Sequence, residues 1–332
     1  MSRIRSVSDI EECEALWKRL MPTELVSDLW EVRECFHRNY GHRPRFVVAE
    51  GNGECIGFLP LSWNAETGQY NYFPGETWEG KTWLEQNRII ARDRETLDAM
   101  VSSLRAPYQL RYLRYDESWS ALDERVDEVG YLFVPEHHGY SIDRYLENFS
   151  HKTAKKLRKE LNRWEDRTVE WRYDDPADFE TLCEMNLSRY GRLSYFHDRR
   201  FLESFRSLTR LLAERGWLRV VTVTVDGIPA AVDLGSLYCG MLTMLAGGTN
   251  ADFPGIAKLI NMKHMTYACD HKLDSVDFLC GDFNWKTLFH LKPVSLFVLE
   301  GDTRPATLVE ESAISLARPQ ISPAEIGSAS YA

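Results

Sequence analysis

The 332 residues carry 40 Lys and Arg against 50 Asp and Glu, a formal net charge of −10, with 44% hydrophobic and 27% charged residues. This is the balance of an ordinary globular chain of about two domains, and its acidity argues against DNA or an anionic membrane surface as partner. Seven cysteines without paired spacing read as reduced thiols in a cytoplasmic protein, which argues against a disulfide framework, while the N-terminus shows no signal peptide and no run is long enough to span a membrane.

In chain order, 10–40 carries apolar residues at helical spacing, with Pro22 between two helical stretches. Segments 46–49 and 55–61 form a predicted hairpin across Gly51-Asn52-Gly53, followed by a strand near 70–73. Gly51, Gly53 and Gly57 have the wrong spacing for a dinucleotide fingerprint and read as turn chemistry. A helix at 93–104, a strand at 110–115, a helix at 119–128 and a strand at 131–135 complete a first α+β unit, taken as 1–140. His137-His138 has no further ligands at metal spacing, so no metal is expected.

The second unit is taken as 141–301. Ser150 is a candidate N-cap for a basic amphipathic helix over 151–167, with Ala154, Leu157, Leu161 and Trp164 on one face. Its lysines and arginines are either a solvated face or an anion-binding one. A strand at Val169–Tyr173 and helices at Asp178–Tyr190 and Arg199–Glu214 follow. Between the helices, the loop at 191–197 offers Tyr195 and His197, which either contact a ligand or pack at the core edge.

The β-branched run Leu218–Val225, the turn dipeptide Asp226-Gly227 and the return strand Ile228–Tyr238 make a meander with 241–246. Gly247-Gly248-Thr249-Asn250 then breaks the pattern, and Pro254-Gly255 leads into a helix over 256–269. A strand feeding a loop and a helix N-terminus suits a phosphate or pyrophosphate, because the first N–H groups and the positive end of the helix dipole point outward together. A short strand at 276–279 precedes Gly281-Asp282, and His264 on the helix reads as a packing residue. The tail 302–332 is rich in Ser, Ala and Pro and reads as poorly ordered, with one short helix near 308–316.

The segment from Asp277 to Lys286 resembles the Asp-Phe-Leu-x-Gly-Asp-x-x-Tyr-Lys ending of the CelD-like or BioF2-like group of the GNAT acyltransferase superfamily, with Trp285 where that group usually has Tyr. Gly57-Phe58-Leu59-Pro60-Leu61 and Ser150-His151-Lys152-Thr153 are similar to two further stretches of the same group, and FemAB-type aminoacyltransferases are more distant relatives. The resemblance implies tandem GNAT-like units, each a mixed, largely antiparallel sheet flanked by helices. It also implies transfer of an acetyl or longer acyl group from acyl-CoA to an amine of a small metabolite or of an envelope or polysaccharide precursor. Gly247, Gly248, Asn250, Gly255, Ile256, Ala257 and Lys258 then become the cofactor contacts, and Arg189, Tyr190, Tyr195 and His197 the acceptor contacts.

For the chemistry, Asp282 is the candidate base or orienting group. Lys286 is its partner or an acyl-donor contact, and Tyr238 could protonate the leaving thiolate. The loop 250–257 has one glycine where many GNAT proteins carry an Arg/Gln-x-x-Gly-x-Gly/Ala turn, and Asp252 places a negative charge there that Lys258 could offset. Two alternatives stand beside this: an aminoacyltransferase using aminoacyl-tRNA, with the basic helix as tRNA contact, and a non-catalytic CoA-binding protein of the same fold.

Overall fold

The computed structural model describes residues 3–120, 125–281 and 284–302. The chain divides into two compact units, the first comprising 1–129 and the segment from Ser295, the second 130–294.

Unit 1 begins with a strand, β1 (Arg3–Val7), paired antiparallel with β2 (Arg43–Gly51). Between them lie α1 (Ile10–Leu20), capped by Asp9 Oδ1 accepting from Glu12 N at 3.0 Å, and α2 (Trp30–Tyr40), ended by Gly41 in the left-handed region at φ +65°. β2 turns through Asn52 and Gly53, both at positive φ, into β3 (Glu54–Asn64), which pairs with β4 (Gln69–Tyr72). The short strands β5 (Thr77–Trp78), β6 (Lys81–Thr82) and β7 (Ile90–Ala91) and the helix α3 (Arg94–Ser102) lead to β8 (Tyr108–Leu113), which runs parallel to β4. Trp17, Trp30, Phe46, Phe58 and Phe73 form the centre of the core, with Trp30 and Phe73 stacked at 5.1 Å.

Gly57 is not a turn residue. It lies inside β3, where a Cβ would meet Thr96 Cγ2 at 2.8 Å and Met100 Cε at 2.9 Å, so its lack of a side chain lets α3 approach. The helix expected over 119–128 is absent from its described end: β9 (Val126–Phe133) already begins there. Val126 and Val129 suit a strand, and the Asp127 carboxylate accepts from both Nε and Nη2 of Arg111 on β8, an ion pair that holds the chain extended.

Unit 2 takes up β9 from Gly130 and continues with α4 (Ile142–Leu146), α5 (His151–Leu161), β10 (Val169–Tyr173), α6 (Asp178–Tyr190) and α7 (Arg199–Glu214). The meander β11 (Leu218–Val225), β12 (Ile228–Tyr238) and β13 (Met241–Thr249) is followed by α8 (Ile256–Asp270), β14 (Ser275–Asp277), α9 (Asn284–Leu288) and β15 (Lys292–Gly301). Its strand order is β9, β14, β13, β12, β11, β10, with β13 and β14 parallel and the other neighbours antiparallel. Each unit is thus a mixed, largely antiparallel sheet flanked by helices, the expected α+β class.

Three boundaries differ from the sequence reading. Helix α5 stops at Leu161 and passes into a 3-10 turn, Asn162–Trp164. β13 runs through Gly247-Gly248-Thr249, which was taken as a break. From Ser295 the chain returns to unit 1, where Phe297 pairs with Leu113, so the first unit is not confined to 1–140 nor the second to 141–301. The tail beyond Asp302, including the expected helix near 308–316, lies outside the described residues.

Candidate functional site

The β-branched strands of unit 2 bury one face under α8, and what opens at that face is set by how β13 is partnered. Among the described residues, β14 pairs with β13 over Met241–Thr243, whereas β13 continues to Thr249 with β12 on its other side. Beside this unaccompanied stretch lies a cavity of about 180 Å3. Gly247 and Thr249 line it from β13 and Asp233 from β12; Gly255 and the first turns of α8 close one side, and Trp285 on α9 another.

The start of α8 is held open by its own loop. Gly255 serves as N-cap at φ +92°, a conformation that L side chains rarely adopt, and no side chain caps the helix. Asn250 fixes the entry: its N–H donates to Ala230 O at 2.9 Å and its Oδ1 accepts from Asp252 N at 3.0 Å. Phe253 anchors the turn in the core against Trp164, and Arg163 Nη1 donates to Pro254 O at 3.1 Å. The Lys258 ammonium pairs with Glu160 on α5.

Within the cavity wall are groups the sequence reading did not join. Asp233 is 3% exposed and its Oδ2 lies 3.0 Å from Nε2 of His264, itself 1% exposed. One turn earlier on α8, Asn261 lines the cavity, and its buried Oδ1 has no hydrogen-bond partner among the described residues. Asn186 Nδ2 donates to Gly247 O at 3.1 Å, and Ser194 Oγ donates to Asn186 Oδ1 at 2.6 Å, tying the 191–197 loop to β13. Asp233 had a visible signal: a carboxylate inside the apolar strand Ala230-Ala231-Val232-Asp233-Leu234 is rare without a partner. His264, set aside as a packing residue, is buried as expected, but against that carboxylate.

The expected cofactor contacts separate by strand alternation and helix face. Gly247, Gly255, Ala257 and Lys258 line the cavity. Gly248 points the other way, where a Cβ would lie 2.8 Å from Leu182 O on α6, and Ile256 is 1% exposed in the core. Among the acceptor candidates, Arg189 Nη1 donates to Thr249 Oγ1 at 2.8 Å and its guanidinium lies over the Tyr190 ring; burial raises the Tyr190 hydroxyl pKa, with Arg189 opposing. Tyr195 packs on Phe201 with ring centroids 5.1 Å apart, and His197 is exposed; neither lines the cavity.

Lys286 is fully buried, which is rare for a lysine without partners. Its Nζ donates to the carbonyls of Phe278, Leu279 and Cys280 at 2.9, 2.9 and 2.7 Å, clamping the segment that follows β14. Tyr238 ends β12 beside Trp217, five residues or about 16 Å along the strand from Asp233, and does not line the cavity. Asp282 lies outside the described residues.

Residues 151–287 match the family model described as Acetyltransferase (GNAT) domain, a span that contains every cavity-lining residue named above. No curated protein matches the chain. Solved structures share the fold at low identity. FemX superposes with TM-score 0.55 at 11% identity, over 89% of this chain and 96% of that one. A tandem GNAT protein from the clavulanic acid biosynthesis pathway gives 0.53 at 12%, over 92% and 100%. A conserved protein of unknown function from Bacteroides thetaiotaomicron gives 0.53 at 11%, over 90% and 99%. Among the described residues, no helix is long and apolar enough to cross a membrane.

Proposed function

We propose that unit 2 is a GNAT-type N-acyltransferase of the CelD-like or BioF2-like kind, moving an acetyl or longer acyl group from acyl-CoA to an amine of a small metabolite or of an envelope or polysaccharide precursor in the cytoplasm. The observation that carries this reading is the cavity beside β13, with the uncapped start of α8 at one side and the buried Asp233–His264 pair at another. The donor fits the wall: Gly247, Gly255 and Ala257 allow close approach, and the first N–H groups of α8 suit a pyrophosphate. Lys258, already paired with Glu160, adds less charge than the sequence suggests.

Acyl-CoA supplies a thioester: the amine forms the C–N bond at its carbonyl carbon to give a tetrahedral oxyanion, which collapses with breaking of the C–S bond, and the CoA thiolate leaves to take a proton from solvent. Backbone N–H groups along the unaccompanied part of β13 stabilise the oxyanion. Asp233 takes the proton that the amine gives up, held in place by His264, and Asn261 Oδ1 accepts a hydrogen bond from the same nitrogen. Asp282 is the other candidate for the proton, and Lys286 anchors the backbone that leads to it.

A second reading has its own observation. Lys152, Lys155, Lys156, Arg158 and Lys159 are all exposed on α5, a face that suits the phosphates of an aminoacyl-tRNA donor. Thermal unfolding with acetyl-CoA, longer acyl-CoAs and free CoA, set against tRNA, tests both. A ligand at about 100 times its Kd adds roughly 2.7 kcal/mol of stability. A CoA-dependent rise in Tm supports acyl transfer; a salt-sensitive rise with tRNA alone overturns it in favour of aminoacyl transfer. CoA binding without turnover across a broad amine panel marks a non-catalytic protein.

A further inference from the structure

Unit 1 contains a chamber of its own, and its chemistry is the reverse of the cavity in unit 2. β4 and β8 run parallel through Tyr70–Tyr108 and Asn71–Gln109, then part as β4 ends at Tyr72 and β8 continues to Leu113. A polar chamber of about 30 Å3 lies beside that parting. Arg33, Asn71, Glu76 and Asn87, between 1% and 6% exposed, supply its buried polar wall.

Two of these side chains present acceptors with nothing to accept. Asn71 Nδ2 donates to Gln109 O at 3.1 Å, and Asn87 Nδ2 donates to Arg111 O at 2.8 Å and to Leu84 O at 3.2 Å. Those carbonyls fix which end of each amide is nitrogen. The two buried Oδ1 atoms that remain have no partner among the described residues, an arrangement that costs free energy unless a donor meets them.

The charges point the same way. The Glu76 carboxyl is held in the same buried wall by Thr82 Oγ1 and the N–H groups of Trp83 and Leu84. Arg33 donates through Nε to Ser27 O and through Nη1 to Phe73 O, and lies over the rings of Trp17 and Tyr72, so its guanidinium is engaged by the protein. Arg111, the other guanidinium in the wall, is paired with Asp127 and Glu128, so what the two amide oxygens lack is a donor. At about 10–15 Å3 for each water-sized group, its volume takes two or three heavy atoms, too little for a nucleotide or an acyl chain.

We propose that this chamber binds the primary ammonium group of a small amine, its N–H groups meeting Asn71 Oδ1 and Asn87 Oδ1 and its charge facing Glu76. The site is independent of acyl transfer in unit 2. Isothermal titration of the full chain with methylammonium, tetramethylammonium and acetate at neutral pH tests it. Saturable binding of methylammonium only is expected, weakened at least tenfold by Glu76→Gln, which keeps an acceptor for Thr82, Trp83 and Leu84 but removes the charge, and by Asn71→Leu, with near-ultraviolet circular dichroism confirming the fold of each. Absence of saturable methylammonium binding to the wild-type chain, equal binding of tetramethylammonium, or unchanged binding by well-folded Glu76→Gln overturns the proposal.

Discussion

Nε2 of His264 sits 3.0 Å from Oδ2 of Asp233, and almost no water reaches either side chain. Removing one member of such a pair leaves the other buried and uncompensated, at a cost of about 3–5 kcal/mol, whereas an isosteric change that keeps the hydrogen bond costs far less. Asp233→Asn is therefore expected to fold and to keep an acyl-CoA-dependent rise in Tm, while its kcat falls by about 10²–10⁴, the usual size of a general-base contribution. His264→Ala should instead lose stability. Wild-type turnover in Asp233→Asn would move the proton to Asp282.

Lys286 is the anchor of the segment that passes from β14 to α9. Three carbonyls converge on its ammonium, and in a methionine variant they would be left unsatisfied in the interior. Lys286→Met is expected to cost about 3 kcal/mol or more in urea unfolding, with kcat falling through the displaced segment while the pH profile of any residual activity keeps its shape. Lys286→Arg should not rescue it, because a planar guanidinium cannot meet three carbonyls gathered around a point charge. A change within about 0.5 kcal/mol, as at an ordinary surface site, would contradict this role.

Much of unit 2 was legible because its signals are local. Asp226 and Gly227 both take positive φ at the hairpin that their dipeptide announces, and Leu218–Val225, Ile228–Tyr238, Asp178–Tyr190 and Arg199–Glu214 begin and end where composition and periodicity place them. What failed depends on partners distant in the chain. Gly247-Gly248 reads as a breaker, yet the pair continues a strand because α6 packs against it. Arg111 draws 126–128 into a strand that their helical spacing conceals. The approach of Asp233 to His264 spans 31 residues and a strand-to-helix contact, and only the carboxylate's apolar setting hinted at it. β1 carries little signal of its own because Ile4 and Val7, the apolar residues of its five, are three apart and do not alternate, and Arg5 is spent on ion pairs with Glu12 and Glu50.

The neighbouring glycines of the candidate site should respond differently to alanine. At Gly248 a Cβ would stand 2.8 Å from Leu182 O and 3.2 Å from Leu182 Cα, backbone that yields only if α6 moves. At Gly255 the space is open, but φ is +92°. Gly248→Ala is expected to cost about 1–3 kcal/mol by overpacking. Gly255→Ala should cost about 1–2 kcal/mol through backbone strain and weaken acyl-CoA binding more than Gly248→Ala does, because it alters the start of α8 itself. Urea unfolding and a CoA titration on both variants separate the two effects; a Gly255→Ala protein with wild-type CoA affinity would detach that helix start from the donor.

Glu76 gives unit 1 a dependence on pH that can be read without any ligand. Burial raises its carboxyl pKa above the ordinary range, with the Leu84 N–H, the Arg33 charge and the Thr82 hydroxyl pulling it back only in part. A pKa raised in the folded state means that folding favours the protonated form. This contribution is fully present below the unfolded carboxyl pKa of about 4.3 and is lost as pH rises through the folded value. Once ionised, the buried carboxylate is carried at a cost that Glu76→Gln avoids, since the amide oxygen can accept from the same donors. The variant's stability relative to the wild type should rise between pH 4 and pH 7.5 in parallel urea titrations. Parallel curves across that range would show that Glu76 keeps an ordinary pKa in the fold.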